Sequence, residues 1–177
     1  MRTVYVILII IGSVLLLTGC NFMQSEKEAV KNAGEEAKEL FHADSDIENN
    51  QKLDTLSMYV PSGLNVVKEE ENNIILKDGD QTYIVFYNKL EGSKSKQSYN
   101  AAKAKSDEAL LLDSFSDKKK FGYIRIMPAN DDDQYELQTG IGGVKITTHT
   151  PKRTLQSDAE SMMKMARSIA LSNNQSE

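Results

Sequence analysis

The sequence contains one cysteine, two histidines and no tryptophan. A single cysteine cannot form a disulfide within the chain, so the fold must be stabilised by its core alone. The two histidines, His42 and His149, are far apart in the sequence, and neither has a second ligand at a spacing typical of zinc sites. We expect His42 at the end of a helix and His149 on the surface of a strand. A transition-metal site is therefore not expected.

Basic residues are outnumbered by acidic ones. The chain has 21 Lys and Arg against 26 Asp and Glu, which gives a formal net charge of −5. Nucleic-acid binding depends on Lys and Arg that neutralise phosphates, so an acidic chain argues against it. The same balance argues against broad electrostatic attachment to anionic lipids. The length of 177 residues is enough for one ordinary domain with a real core.

The longest apolar run lies at the N-terminus. Met1 and Arg2 carry positive charge, and residues 3–17 are almost unbroken Val, Ile and Leu. A short basic segment followed by an apolar segment of this length is typical of a secretory signal peptide. A membrane-spanning helix, by contrast, needs about 20 apolar residues. The segment Leu17-Thr18-Gly19-Cys20 that ends the run resembles the bacterial lipobox.

The lipobox resemblance implies that diacylglycerol is attached to the Cys20 thiol. It also implies cleavage between Gly19 and Cys20, with residues 1–19 removed as the signal peptide. Two or three acyl chains, such as palmitate, hold a protein durably on a membrane, at about 0.8 kcal/mol per buried methylene. We therefore expect a lipid-anchored protein on the extracytoplasmic face of the cell membrane of a Gram-positive bacterium. The alternative is an uncleaved N-terminal anchor with an incidental cysteine.

The chain after the cysteine divides into a tether, a helix and a domain. Residues 20–25 form a polar tether. Apolar residues then recur at helical spacing over 26–41, and Ser25 with Glu28 has the pattern of a capping box. We interpret this segment as a stalk helix that docks weakly, with a coiled-coil partner helix as the alternative. A polar loop that ends at residue 52 follows it. The globular domain extends over 53–171, and 172–177 is a polar tail.

The domain consists of two strand-rich blocks separated by a helical segment. Strands are predicted at 57–60, 64–67, 73–77, 81–87, 122–127, 134–139 and 144–150. Asp78-Gly79 is a strong hairpin signal, because glycine accepts a positive φ between two β-rich runs. Helical spacing predicts a helix over 98–115 and a last helix that begins at Thr154 or Ser157.

These elements predict an α+β fold, in which an antiparallel sheet of about six strands has helices on both faces. The strands at 81–87 and 122–127 carry apolar residues on both faces, as strands covered on both sides do. The order of elements, with the segment Met58-Tyr-Val-Pro-Ser-Gly63-Leu-Asn-Val, resembles the Mog1/PsbP-like sandwich over residues 26–171. That superfamily includes bacterial lipoproteins, and the resemblance implies a non-enzymatic role in binding or assembly.

Three motifs invite a functional interpretation, and each has a simpler structural one. Residues 130–133 (Asn-Asp-Asp-Asp) lack the spacing of a calcium loop and fit a solvated turn. The glutamates at 69–71 fit a solvated strand end. Residues 140–143 (Gly-Ile-Gly-Gly) fail the phosphate-loop pattern and fit a turn with positive φ. No Gly-x-Ser-x-Gly motif is present. We therefore predict no catalytic residue, cofactor or metal.

The seven tyrosines supply the remaining candidate site. Tyr83 and Tyr87 are an even number of positions apart in one strand, so they share a face, and the same parity joins Tyr123 to Arg125. If the strand order brings the two pairs together, the four residues form a recognition face, because Tyr and Arg are favoured binding anchors. The alternative is that the rings fill the core with their hydroxyls at its rim.

The sequence as a whole favours a membrane-anchored, non-catalytic lipoprotein that binds a protein partner or helps an envelope assembly. A small-ligand sensor or carrier, with a pocket between the sheet and a helix, is the alternative. An enzyme is the third hypothesis, and it requires a polar cluster that the sequence does not display.

Overall fold

The computed structural model of the protein describes residues 24–130 and 132–172. Its helices are α1 (Glu26–His42), α2 (Gln97–Lys103) and α3 (Leu155–Ser172), with a 3₁₀ turn (Lys152–Thr154) before α3. Its strands are β1 (Gln51–Lys52), β2 (Ser57–Met58), β3 (Asn65–Glu69), β4 (Asn73–Asp78), β5 (Gln81–Tyr87), β6 (Leu111–Ser116), β7 (Phe121–Ala129), β8 (Gln134–Ile141) and β9 (Val144–Pro151). The predicted signal peptide and Cys20 lie outside the described residues, as does the tail after residue 172.

Seven strands form one antiparallel sheet in the order β3-β4-β5-β9-β8-β7-β6, and β1 pairs separately with β2. Helices α1 and α3 pack on one face of the large sheet, which we call the core face. Helix α2 lies on the other, second face, where Tyr99 contacts the ring of Tyr123 in β7. The α+β class and the sheet flanked by helices on both faces are thus confirmed. The sheet has seven strands rather than about six. Residues 111–116 add an edge strand, and the predicted strand at 57–60 is shortened to β2, which pairs with β1 outside this sheet.

The hydrophobic core lies between the sheet and the two long helices. In α3, the side chains of Met162 and Ile169 are fully buried. Helix α1 packs along α3 and buries Ala33, Ala37 and Phe41 completely. Alanines permit a close approach between helices, so α1 is an integral part of the core rather than the weakly docked stalk expected from the sequence.

Two local predictions are confirmed at the ends of elements. Ser25 caps α1, since its hydroxyl accepts a hydrogen bond from the Glu28 N–H at 3.2 Å. Gly79 has a φ of +54° in the tight turn between β4 and β5, as the Asp78-Gly79 step predicts. Gly142 has a φ of +55° in the turn between β8 and β9.

The predicted helix over 98–115 is wrong in its second half. Helix α2 ends at Lys103, and residues Leu111–Ser116 pair with β7 as strand β6. In β6, Leu111 and Phe115 face the core at even spacing, while Ser114 and Ser116 are exposed. The pairing with β7 satisfies the backbone of this segment and overrides its local helical spacing.

Candidate functional site

The structure separates the four residues of the predicted recognition face. Tyr83 and Tyr87 lie on the core face of β5, and the Tyr83 hydroxyl reaches Asp158 of α3. Tyr123 and Arg125 lie on the second face of β7, beneath α2. All four residues are buried, with exposed fractions of 2% for Tyr83, 8% for Tyr87, 2% for Tyr123 and 7% for Arg125. They therefore do not form one exposed face. The register across β9 and β8 aligns Tyr83 with Ile126 of β7, so Tyr123 and Arg125 lie on the opposite face of the sheet.

Tyr83 belongs to a buried hydrogen-bond network around the Asp158 carboxylate, in the first turn of α3. Tyr83 donates its hydroxyl to Oδ1 at 2.8 Å, and Gln81 donates its amide to Oδ2 at 3.1 Å. The hydroxyl of Thr150 donates to the same carboxylate. Burial, followed by the negative charge of Asp158, raises the pKa of Tyr83. The network joins β5 and β9 to α3, so its role is to fix the helix on the sheet.

Tyr123 and Arg125 form a floor beneath α2. The Tyr123 hydroxyl donates to Gln138 Oε1 at 3.1 Å, and burial raises the pKa of Tyr123. The Arg125 guanidinium donates through Nη1 to the Ala102 carbonyl at 3.2 Å and pairs with Glu136 through Nη2. These contacts hold the C-terminal end of α2 against the second face.

A polar cleft of about 440 Å³ lies between α2 and the second face, and we call it the α2 cleft. Its lining includes Phe86 and Lys145 from the sheet, Lys105 after α2 and Glu91 from the preceding loop. The Lys145 ammonium lies 5.2 Å from the centre of the Phe86 ring. The cleft thus joins an aromatic surface to two cationic side chains.

A larger groove of about 730 Å³ runs between α1 and the edge strand β6, and we call it the α1–β6 groove. Its apolar lining comprises Val30, Gly34, Leu110 and Leu111. Charged side chains also line it, from Lys27 at one end of α1 to Lys38 further along, together with Glu26, Lys31, Glu35 and Asp113. This stretch of helix is about 17 Å long at about 1.5 Å per residue. The groove is therefore a trough beside the sheet edge, partly apolar and with charges of both signs.

The contact between α1 and β6 depends on Gly34. A Cβ atom at this position would lie 2.7 Å from Leu111 Cδ2, closer than such atoms approach each other. Leu111 therefore packs directly over the glycine backbone. The missing side chain lets the helix lie close to the strand, and it leaves Leu110, which is 40% exposed, at the side of the groove.

Strand β6 presents backbone groups to the outside of the sheet. At the turn between β6 and β7, the Asp117 N–H donates to the Lys120 carbonyl at 3.0 Å. Hydrogen-bonded positions alternate along an antiparallel pair, and the register of β6 with β7 is unbroken. The N–H and C=O groups of Leu112, Ser114 and Ser116 therefore point away from β7, toward the open edge.

The two edges of the sheet are not equally protected. Strand β3 has a register shift between Val66 and Lys68, and its Glu69 carboxylate holds the 54–55 loop through the Thr55 N–H at 2.9 Å. Bulges and covering loops are common means of blocking an edge. On β6, the Ser114 N–H donates to the Asp113 carboxylate at 2.7 Å. The unbroken edge of β6 thus lies beside the α1–β6 groove, whereas β3 is interrupted.

The described residues provide no metal centre and no membrane-spanning helix. In 24–130 and 132–172, no group of three or more His, Cys, Asp or Glu side chains is arranged to hold a metal ion. No helix in these ranges is long and apolar enough to cross a bilayer. His42 ends α1, and His149 is exposed on β9. The Oδ1 atom of Asn130 accepts a hydrogen bond from the Asp132 N–H at 3.0 Å, as in the turn predicted for the Asn-Asp-Asp-Asp motif.

The sequence does not reveal the α1–β6 groove, because the spacing of its apolar residues predicts a helix at 111–115. The alternation of Leu111, Asp113 and Phe115 with Leu112, Ser114 and Ser116 was the available signal for a strand. Even so, neither its position at the edge nor its contact with α1 follows from alternation.

In comparisons with known proteins, no family model, no curated protein and no solved structure matches this chain.

Proposed function

We propose that the protein is a membrane-anchored, extracytoplasmic lipoprotein that captures an extended segment of a partner protein and has no catalytic role. The supporting observation is the open edge of β6 beside the α1–β6 groove. A peptide that pairs with an exposed edge strand gains main-chain hydrogen bonds, and pockets beside the edge select its alternate side chains. In this protein, the edge of β6 would supply the main-chain hydrogen bonds, and the α1–β6 groove would supply the pocket for the side chains.

The expected recognition chemistry follows from the geometry of β6. A partner strand bonds to the outward groups of Leu112 and Ser116 and accepts from Ser114 in place of the Asp113 carboxylate. Every second side chain of the partner then points toward the groove, against Leu110. A trough of about 17 Å holds about five residues of extended chain, at about 3.4 Å each. The side chains that enter it should be apolar.

The anchor is proposed from Cys20, which lies outside the described residues. Six peptide steps connect Cys20 to Glu26, the first residue of α1. An extended chain covers at most about 20 Å in this distance. The groove begins at this end of α1, since Ser25 and Glu26 line it. A captured segment would therefore be held close to the membrane surface, which suits the assembly of envelope proteins.

Peptide selection on the full-length protein in detergent micelles tests the proposal. From a display library of random ten-residue peptides, we expect sequences with apolar residues at alternate positions. Leu110→Glu should weaken their binding about tenfold, or about 1.4 kcal/mol, because it places a charge beside the apolar lining. Leu90→Glu is the matched control, since Leu90 is 92% exposed and lies outside the groove lining. Equal affinity for the Leu110→Glu and unmodified proteins would contradict the proposal.

A further inference from the structure

We infer that the α2 cleft is a second, independent site, which binds a small anionic molecule with an aromatic or apolar body. The cleft is on the second face of the sheet, whereas the α1–β6 groove borders the core face. Its volume of about 440 Å³ is within the range of small-molecule pockets, about 300–1,000 Å³. The inference does not depend on the proposed peptide capture.

The lining of the α2 cleft carries more positive than negative charge, with Lys105, Arg125 and Lys145 against Glu91. Among the described residues, neither Lys105 nor Lys145 has a carboxylate within ion-pair distance. The acidic residue in the lining, Glu91, is already engaged, since Asn88 donates to one of its oxygens at 2.8 Å and Ser95 donates to the other at 2.5 Å. Two ammonium groups are therefore available to a carboxylate or phosphate, and charge-assisted hydrogen bonds to such groups are strong.

Two further residues of the lining hold Lys105 in place and give the α2 cleft an apolar side. Arg125 is a positioning residue, because it donates to the Ala102 and Lys105 carbonyls at 3.2 Å and 3.4 Å and so holds Lys105 at the cleft. Phe86 pairs directly with Lys145 across β5 and β9. A ligand that places its anion between the two lysines can therefore lay a ring against Phe86. A neutral ligand of the same shape lacks the ionic contribution.

Binding of phenyl phosphate and benzoate to the full-length protein, followed by chemical shifts of backbone amides, tests the inference. Benzamide serves as the neutral match for benzoate. We expect both anions to shift amides of α2 and of the second face around residues 86, 138 and 145, with benzamide at least about tenfold weaker. A stronger response to phenyl phosphate identifies a phosphate site, and a stronger response to benzoate identifies a carboxylate site.

Lysine substitutions provide the matched controls. Lys105→Gln and Lys145→Gln should each weaken anion binding by about fivefold to tenfold, because each removes one charged donor. Lys103→Gln makes the same change at an exposed position of α2 that does not line the cleft, and it should leave binding unchanged. Equal binding of benzamide and benzoate, or an equal loss in the Lys103→Gln protein, would overturn the inference. So would shifts that occur away from the cleft.

Discussion

Replacement of Tyr83 by Phe removes one hydrogen bond from the buried Asp158 carboxylate without changing the ring. A hydrogen bond to a charged group contributes about 1.5–3 kcal/mol to stability. Gln81 and Thr150 still donate to the carboxylate in the variant, so the loss should fall in the lower part of this range. We expect the free energy of unfolding to decrease by about 1.5–2 kcal/mol.

Urea denaturation at neutral pH measures this loss, and Tyr99→Phe is the control, since the Tyr99 hydroxyl has no hydrogen-bond partner among the described residues. In an Asp158→Ala background, Tyr83→Phe should have almost no effect, because the acceptor is gone. A loss below about 0.5 kcal/mol in the unmodified background would refute the network's role, since this is the size of an ordinary surface effect.

Tyr83 also gives the fold an alkaline sensitivity. The folded state raises the pKa of Tyr83, so the unfolded state loses the phenolic proton at a lower pH than the folded state does. The hydrogen bond from Tyr83 therefore makes its full contribution to the free energy of unfolding below about pH 10, and this contribution is lost as the pH rises further. Tyr83→Phe should reduce the slope of stability against pH above this value.

Three further predictions concern a turn, an ion pair and the anchor. Gly79→Val should lower the free energy of unfolding by about 1–2 kcal/mol, measured by denaturation, because the φ of +54° disfavours a β-branched residue. Burial opposes ionisation of Asp117, but hydrogen bonds from Lys120 outweigh it and hold the Asp117 pKa at about 2. The ionised Asp117 therefore stabilises the fold above about pH 4, and this stabilisation is lost as the pH falls toward 2. In the Asp117→Asn protein, the free energy of unfolding should depend less steeply on pH in that interval. Cys20→Ala should abolish incorporation of a fatty-acid probe and leave an uncleaved precursor, and equal labelling of both proteins would exclude the anchor.

Features that depend on neighbours in the sequence were predicted well. The Ser25 cap and the Asp78-Gly79 turn are local, since each is decided by a few adjacent residues. The buried side of α3 also follows from spacing alone, because its methionines and alanines recur at the helical period. These elements were sufficient to predict a sheet with helices on both faces.

Features that depend on distant pairing were not predictable in the same way. Residues 111–116 have apolar positions that suit either a helix or a strand, and the pairing with β7 decides between them. The prediction that Tyr83 shares a face with Tyr87, and Tyr123 with Arg125, was correct. The separation of the two pairs to opposite faces depends on the register across β9 and β8, which the local sequence does not give. The α1–β6 groove depends on the position of β6 at the edge of the sheet and on the close approach of α1 through Gly34. Neither follows from the local sequence.

Amide hydrogen exchange along β6 is the most direct test of strand capture at the edge. It is measured residue by residue, with and without a peptide selected on the full-length protein. We expect the outward N–H groups of Leu112 and Ser116 to become protected about tenfold or more, while those of Leu111 and Phe115, already directed to β7, change little. Unchanged exchange at Leu112 and Ser116 in the saturated complex would contradict capture at β6.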